Sequence, residues 1–381
     1  MNKNKSFFSS SVLRFVLISY FVWQMALILI SLISSRIILP RNGYRYSQFA
    51  QTAPEYLLSR ANFDGYHYLL ISQKGYGAYQ QAFFPMYPRL IKFLSPFLKN
   101  ELFAGLVISN VCFLFSLFLF YELICLDYKE DTAKKVLIFL MIFPTSFFLG
   151  AVYTESLFLF LILGSFYAAR RGKWWLAGIL GGLASYTRIV GILIFPALIF
   201  EWYEKNKFEN LKLKIKNFFP LFLIPLGLLY YMNYLRQNYK DPLLFVHVQS
   251  YFGANRSNGK IILLYQVFWR YLKMVLTTKI DILYFTVWLE LLTALGFIAL
   301  LILAFRKKMR TSYLVFGSLA FVLPTLSGTF SSLPRYVLVL FPAFIYLGMI
   351  KSKLIQFGLW VIFGLLLIIS AALFYQGYWI A

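Results

Sequence analysis

The chain has 381 residues, of which 60% are hydrophobic, 20% aromatic and only 13% charged. A soluble domain carries about 25% charged residues, so a soluble enzyme, a secreted disulfide scaffold and a disordered chain are excluded. Lys and Arg number 37 against 14 Asp and Glu, a formal charge of +23; spread over short loops, that excess suits cytoplasmic anchors and anionic headgroups and not a nucleic acid.

In chain order, M-N-K-N-K at residues 1–5 precedes an apolar stretch from about 12 to 39. It is too long for a signal-peptide core and has no small-residue cleavage site, so it reads as an uncleaved first helix with its N-terminus inside. The next segment, about 40–100, is the least membrane-like. It reads N-F-D-G-Y-H-Y at 62–68, K-G-Y-G at 74–77 and A-F-F-P-M-Y-P at 82–88. Two prolines three apart among aromatics predict a rigid interfacial turn. Arg89, Lys92 and Lys99 among apolar residues predict an amphipathic helix on the membrane over 89–99.

Spanning helices are predicted at about 101–126, 134–152, 153–170, 218–236, 281–305, 311–328, 334–350 and 354–376, each near the length that crosses a hydrocarbon core of about 30 Å. Cys112 and Cys125 fall in the first of these, thirteen residues apart. A helix separates them by about 20 Å, which forbids a mutual disulfide. The segment 174–200 is apolar but interrupted at Ser185-Tyr186-Thr187-Arg188. A helix–break–helix hairpin there lets every dense basic cluster lie inside, since irregular backbone is tolerated at membrane depth when protein surrounds it. The alternative is a full crossing that puts the lysines of 205–216 outside. With no repeat and no soluble linker, residues 1–381 form one all-α polytopic membrane domain. Its large first outer loop is about 40–100 and its second about 237–280.

The outer segments carry the polar chemistry. Their carboxylates are Glu55, Asp64, Glu101, Glu155, Asp241 and Asp281, with Glu290 a turn or two inside a helix. Asp64 is followed by Gly65 and, three residues on, by His67, one of two histidines; that spacing puts both on one side of a helical turn. Asp64 either caps that turn or acts on a substrate. Glu155, isolated among apolar residues between two helices, is a first-turn acid or a functional carboxylate. Arg188 is the lone cation of its segment and needs a carboxylate, a phosphate or carbonyls. Arg335 sits beside Pro334 at a helix start, where the helix dipole does not favour a cation; it serves an anionic ligand or snorkels to a headgroup. The run 245–257 supplies His247, Gln249 and Arg256, groups suited to a polyol. Tyr66 and Tyr87, in the two aromatic blocks of the first loop, are further candidate substrate contacts. No Walker loop, zinc spacing, cysteine framework or G-x-S-x-G elbow is present, against an ATPase, a metalloprotease or a serine lipase.

The run F-D-G-Y-H-Y-L-L-I-S-Q-K-G-Y followed by A-F-F-P-M-Y-P resembles the PIG-V-type mannosyltransferases. So do F-P-T-S-F-F-L-G-A-V-Y-T-E-S-L-F at 143–158, A-G-I-L-G-G-L-A-S-Y-T-R at 177–188 and R-Y-V-L-V-L-F-P at 335–342. The departure is Phe63 where that family often has Trp; the loops after residue 237 match loosely, which leaves the acceptor open.

The resemblance implies a GT-C-type bundle of about 9–11 transmembrane or half-spanning helices. It further implies a polyprenyl-phosphate sugar donor, mannose favoured, and transfer with inversion to a glycolipid, glycan or protein acceptor on the extracytoplasmic face. Asp64 corresponds to the catalytic acid and Glu155 to the second acidic position. In that scheme Asp64 is the general base and His67 its orienting partner. Arg335 is the favoured ligand of the departing phosphate, with Arg256 and Arg188 as further candidates. No cofactor is required, and a divalent metal is compatible but not needed for a monophosphate leaving group. The membrane would be the plasma membrane of a bacterium or the endoplasmic reticulum of a eukaryote. A lipid-linked glycan flippase or transporter would instead show inverted repeats and midplane carboxylates. An O-antigen-type polymerase or ligase would lean on late arginines and histidines.

Overall fold

The computed structural model describes residues 10–41, 53–207, 210–254, 256–257 and 259–380. The expectation for residues 1–5 and that for 42–52 of the first loop lie outside the described residues. Every regular element among the described residues is helical. The chain runs through α1 (Ser10–Ile37), α2 (Asp64–Lys74), α3 (Met86–Leu98), α4 (Glu101–Cys125), α5 (Glu130–Ile142) and α6 (Glu155–Arg170). It continues as α7 (Trp174–Thr187), α8 (Ile194–Lys205), α9 (Leu223–Tyr239), α10 (Leu264–Thr277) and α11 (Ile282–Arg306). The last third is α12 (Thr311–Thr325), α13 (Leu333–Tyr336), α14 (Phe341–Gly348) and α15 (Lys353–Tyr375), with short helical turns between several of these.

Among the described residues, five helical runs are long and apolar enough to cross a membrane: α1, α4, Leu211–Tyr239, α11 and α15. Their surfaces show the solvent they were built for. In α1, Val12, Val16, Tyr20, Trp23, Leu27, Ser31 and Ser34 form the buried stripe, a three-and-four spacing that keeps one helix face inward. The rest of that helix exposes Ile18, Phe21, Val22, Met25, Leu29 and Ile33. Apolar side chains outside as well as inside place α1 in hydrocarbon. At the centre, α6 buries all but Phe160, Tyr167 and Arg170, so this helix is enclosed by protein on every side.

Glycine sets how closely two helices meet. A Cβ on Gly178 would stand 2.1 Å from the carbonyl oxygen of Pro220, and one on Gly227 would stand 2.0 Å from that of Gly182. Backbones in lipid approach this closely only where side chains are absent, and here the contact docks α9 against α7.

Two predicted spans are interrupted. Residues 134–152 are helical only to Ile142, and then Pro144 starts an irregular stretch with a 3₁₀ turn at Ser146–Gly150. Likewise 334–350 is not one helix: α13 gives way to a 3₁₀ turn at Val337–Val339 before α14 begins beside Pro342. Proline lacks the amide hydrogen that an interior helical turn needs, and enclosure in protein supplies other partners. Thr145 Oγ1, for example, donates to the carbonyl of Pro334 at 2.5 Å.

The 174–200 segment is a helix–break–helix, with Arg188 extended between α7 and the turn that leads to α8. Lys205, at the far end of α8, donates to the carbonyl of Arg170 at 2.5 Å, so the segment leaves the bundle at the end where it entered. That end also holds Arg310 against Glu201 at 2.6 Å and Arg170 against Asp127 at 2.5 Å. Glu155 opens α6 and Arg170 closes it; sixteen residues of helix put about 22 Å between these ends.

Candidate active site

Asp64 is the first residue of α2, and its position is fixed by the backbone before it. Phe63 sits at φ 57 and ψ −114, a left-handed conformation that bulky side chains adopt at a cost of about 1–3 kcal/mol. The surroundings hold it there. The carbonyl of Asn62 accepts from Tyr153 Oη at 2.7 Å, and Asn62 Nδ2 donates to the carbonyl of Phe374 at 2.8 Å. The Phe63 ring meets that of Trp379 edge-on, with centroids 4.9 Å apart. No side chain caps the helix at Phe63; the Asp64 carboxylate is turned to Arg335, whose Nη1 lies 2.5 Å away.

Arg335 is the centre of a four-charge network. It is buried on the short helix α13, and its Nε is 3.4 Å from Glu155 Oε1. That approach is within ion-pair reach, although Nε makes no hydrogen bond. The same oxygen of Glu155 lies 2.7 Å from Arg188 Nη1. Glu155 is 1% exposed and its Oε2 has no hydrogen-bond partner. Two carboxylates and two guanidiniums are therefore joined in series: Asp64, Arg335, Glu155, Arg188. Aromatic faces complete the enclosure. The guanidinium carbon of Arg335 stands 5.2 Å from the Tyr153 ring and 5.1 Å from that of Tyr336, while Arg188 is 5.0 Å from Tyr336. Such contacts favour cations taken out of water.

His67 lies one turn beyond Asp64. Its Nδ1 is 3.1 Å from Gln80 Nε2, and its ring stacks on Phe83 at 5.0 Å. An amide nitrogen can only donate, so Nδ1 accepts and the ring proton belongs on Nε2. Burial pulls this imidazole below its ordinary range, against the opposing pull of the Asp64 charge. His67 is a neutral hydrogen-bonding group beside a carboxylate.

Asp64, His67, Glu155, Arg188 and Arg335 line one cavity of about 1150 Å³, as do Tyr66, Gln249 and Arg256. A second polar cluster shares it. Tyr271 Oη donates to Glu290 Oε2 at 2.5 Å and lies 3.2 Å from Thr329 Oγ1. Arg256 Nη2 donates to Ser332 Oγ at 3.4 Å, and Arg270 Nη1 to the carbonyl of Gly328 at 2.9 Å. The cavity lining holds Asp64, Glu155 and Glu290 against Arg188, Arg256, Lys260, Arg270 and Arg335, an excess of positive charge that suits an anionic ligand. Among the described residues, no three His, Cys, Asp or Glu side chains are grouped to hold a metal ion.

Two candidates lie elsewhere. Tyr87 is fully buried outside the cavity, with its hydroxyl 2.9 Å from the carbonyl of Gly105 and 2.7 Å from Ser109 Oγ. It locks α3 to α4. His247 pairs with Asp241 at 2.7 Å on a half-exposed surface and does not line the cavity. Sequence reasoning named Glu290 without a role, and it missed Tyr271, Tyr336 and Trp379, aromatic residues that no spacing sets apart.

A family model described as Mannosyltransferase (PIG-V) matches residues 6–268. No curated protein and no solved structure matches the chain. Asp64, Glu155 and Arg188 fall inside the matched part, whereas Arg270, Tyr271, Glu290, Arg335 and Trp379 lie beyond it.

Proposed function

This chain belongs to the PIG-V family of mannosyltransferases, and from that premise we propose that it moves mannose from a polyprenyl-phosphate donor to a lipid or glycan acceptor, with inversion at the anomeric carbon. Asp64 takes the proton of the acceptor hydroxyl while that oxygen attacks the anomeric carbon. The bond from that carbon to the phosphate oxygen breaks, and polyprenyl phosphate leaves with the electron pair. Negative charge grows on the phosphate, and Arg335 and Arg188 meet it, with Arg256 nearby. Fixed charges in a water-poor site are worth most where charge develops. His67, neutral, donates through Nε2 to a sugar or acceptor oxygen.

The observation that carries this reading is the direct pair between Asp64 and Arg335. While that pair holds, the guanidinium occupies the carboxylate oxygen that would receive the acceptor's proton. A donor phosphate competes for the same guanidinium. When it takes Arg335, Asp64 loses its partner, and its carboxylate is free to face the acceptor hydroxyl with the donor in place. Glu155 retains Arg188 and steadies Arg335 through that exchange. The lipid tail keeps to the membrane, since Leu283 and Ile261 line the cavity and are also exposed on the apolar surface. The reaction face is extracytoplasmic, because the cavity is at the end of α6 away from Arg170, Arg310 and their basic neighbours.

The test supplies purified protein in liposomes with radiolabelled polyprenyl-phosphate mannose and extracted membrane lipids. Labelled glycolipid from wild-type protein, absent with Asp64→Asn, is the expected result. Release of free mannose alone, or no use of that donor, would reject the transferase mechanism as written.

A further inference from the structure

Trp379 lines the cavity on the short segment that turns back after α15. Gly377, at φ 81, makes the reversal, and Tyr378 N donates to the carbonyl of Leu373 at 3.0 Å. The carbonyl of Trp379 accepts from Thr286 Oγ1 at 3.3 Å, and Ile380 beyond it is fully buried. The indole is thus held by its backbone while its ring stays partly open to the cavity. Its neighbours are the two functional poles of the site. Phe63, which precedes Asp64, meets it edge-on at 4.9 Å, and the guanidinium carbon of Arg335 is 6.0 Å from its centroid.

We propose that Trp379 is the platform on which the mannosyl ring of the donor packs. The inference rests on the donor reading above and adds a binding residue outside the family-matched part of the chain. In an in-line displacement the anomeric carbon lies between the base and the phosphate ligand, so it enters beside Asp64 and Arg335 once the donor phosphate has drawn that pair apart. A ring attached at that carbon must therefore lie against the wall those two residues share. One face of a pyranose is a patch of C–H bonds, which packs on an indole face and leaves the hydroxyls free for hydrogen bonds. The negative face of the indole also suits the positive charge that an oxocarbenium-like transition state gathers on the sugar. Competing rings are more closely engaged: two guanidinium carbons lie 5.0 and 5.1 Å from Tyr336, and Phe83 packs on His67, Tyr68 and Phe252, whereas Trp379 has one ring against it and the Arg335 carbon at 6.0 Å.

The experiment compares two lipids, polyprenyl-phosphate mannose and sugarless polyprenyl phosphate, by equilibrium binding to wild-type protein, Trp379→Phe and Trp379→Ala in nanodiscs. A platform for the sugar predicts that Trp379→Ala binds the mannosylated lipid about three- to tenfold more weakly and the sugarless lipid as wild type does. Trp379→Phe, which keeps a smaller aromatic face, should fall between and guards against a misfolded alanine variant. The mannosylated lipid should also quench wild-type tryptophan fluorescence more than that of Trp379→Phe. Equal weakening toward both lipids, or none, would overturn the platform. If wild-type protein binds neither lipid, the donor reading fails and the platform fails with it.

Discussion

The carboxylate of Asp64 and the guanidinium of Arg335 meet at 2.5 Å although 271 positions separate them in the chain. One opens a helix held by a strained residue, Phe63, and the other sits three residues after Ser332, which is itself left-handed at φ 67. Both turns store strain next to charge. Strain of this kind persists only where surrounding contacts over-determine it, and the hydrogen bonds of Asn62 do so for Asp64. Asp64→Asn should therefore still fold, with a smaller loss than at Glu155, because the Asp64 side chain is 19% exposed, serves one arginine, and the amide preserves size while its oxygen still accepts from Arg335. Transfer should drop by about 10²–10⁴-fold, the usual contribution of a general base. A variant with more than about a tenth of wild-type turnover would remove Asp64 from that role.

Arg335 is expected to separate charge from geometry. Arg335→Lys keeps a cation but loses the planar fork that holds two oxygens at once, so single-turnover rates should fall with stability nearly unchanged. Arg335→Ala removes one member of a buried ion network, which typically costs about 3–5 kcal/mol. Thermal unfolding in nanodiscs should show that loss for alanine only. Wild-type rates in either variant would shift the leaving-phosphate role to Arg256 or Arg188.

Glu155 serves Arg188 and Arg335 with one oxygen. Glu155→Gln leaves two guanidiniums facing each other with Asp64 as their remaining anion in the network. Destabilisation of about 3–5 kcal/mol is expected. Adding Arg188→Gln should recover part of it, since residues within one network couple by about 0.5–3 kcal/mol. Strict additivity in a double-mutant cycle would show that Glu155 and Arg188 act independently.

The spanning runs, the break at Arg188 and the polar residues now gathered in one cavity were legible because each departs from its apolar background. An isolated Asp, Glu or Arg in a sequence with 13% charged residues is conspicuous by cost alone. Tyr87 misled because composition does not reveal which way an aromatic turns. It follows Pro85 in the first turn of α3 and points at Gly105 rather than at the cavity. Trp379 and Tyr271 were invisible for the converse reason. Both are amphipathic aromatics among other aromatic and apolar residues, and only the reversal after α15 and the packing of α10 against α11 bring them to the site. The interruption at 337–341 was missed because its hydropathy is that of a span, while the backbone responds to Pro342 and to enclosure by protein.

His67 gives a pH signature. Burial lowers its folded-state proton affinity below that of the unfolded chain, whose ordinary imidazole value is about 6.5. Between those two values the unfolded state binds more protons, so stability rises with pH. The contribution is complete above the ordinary imidazole range and is lost as pH falls through it toward the lower folded value. His67→Gln removes the titration, so the difference in melting temperature between wild type and variant should change across that window and level off above it. A pH-independent difference would show that His67 is not held neutral by burial.

Orientation is the last expectation, and it follows from the charge distribution along α6. Glu155 begins that helix in the cavity, and Arg170 ends it among Asp127, Glu201, Lys205 and Arg310. Basic residues in short loops favour the cytoplasmic side, which turns the cavity outward. Two exposed tyrosines mark the cavity end: Tyr79 and Tyr251 stack at 3.9 Å, joining the first outer segment to the second. At the other end Lys307 follows α11. In a background with Cys112 and Cys125 replaced, Tyr79→Cys and Tyr251→Cys should react with a membrane-impermeant thiol reagent on intact cells. Lys307→Cys should react only after permeabilisation. Oxidant should also cross-link the Tyr79→Cys/Tyr251→Cys pair, because their rings now touch across the two segments. The reverse labelling pattern would invert the protein and place the mannosyl transfer on the cytoplasmic face, while labelling of all three sites from outside would break the argument from charge altogether.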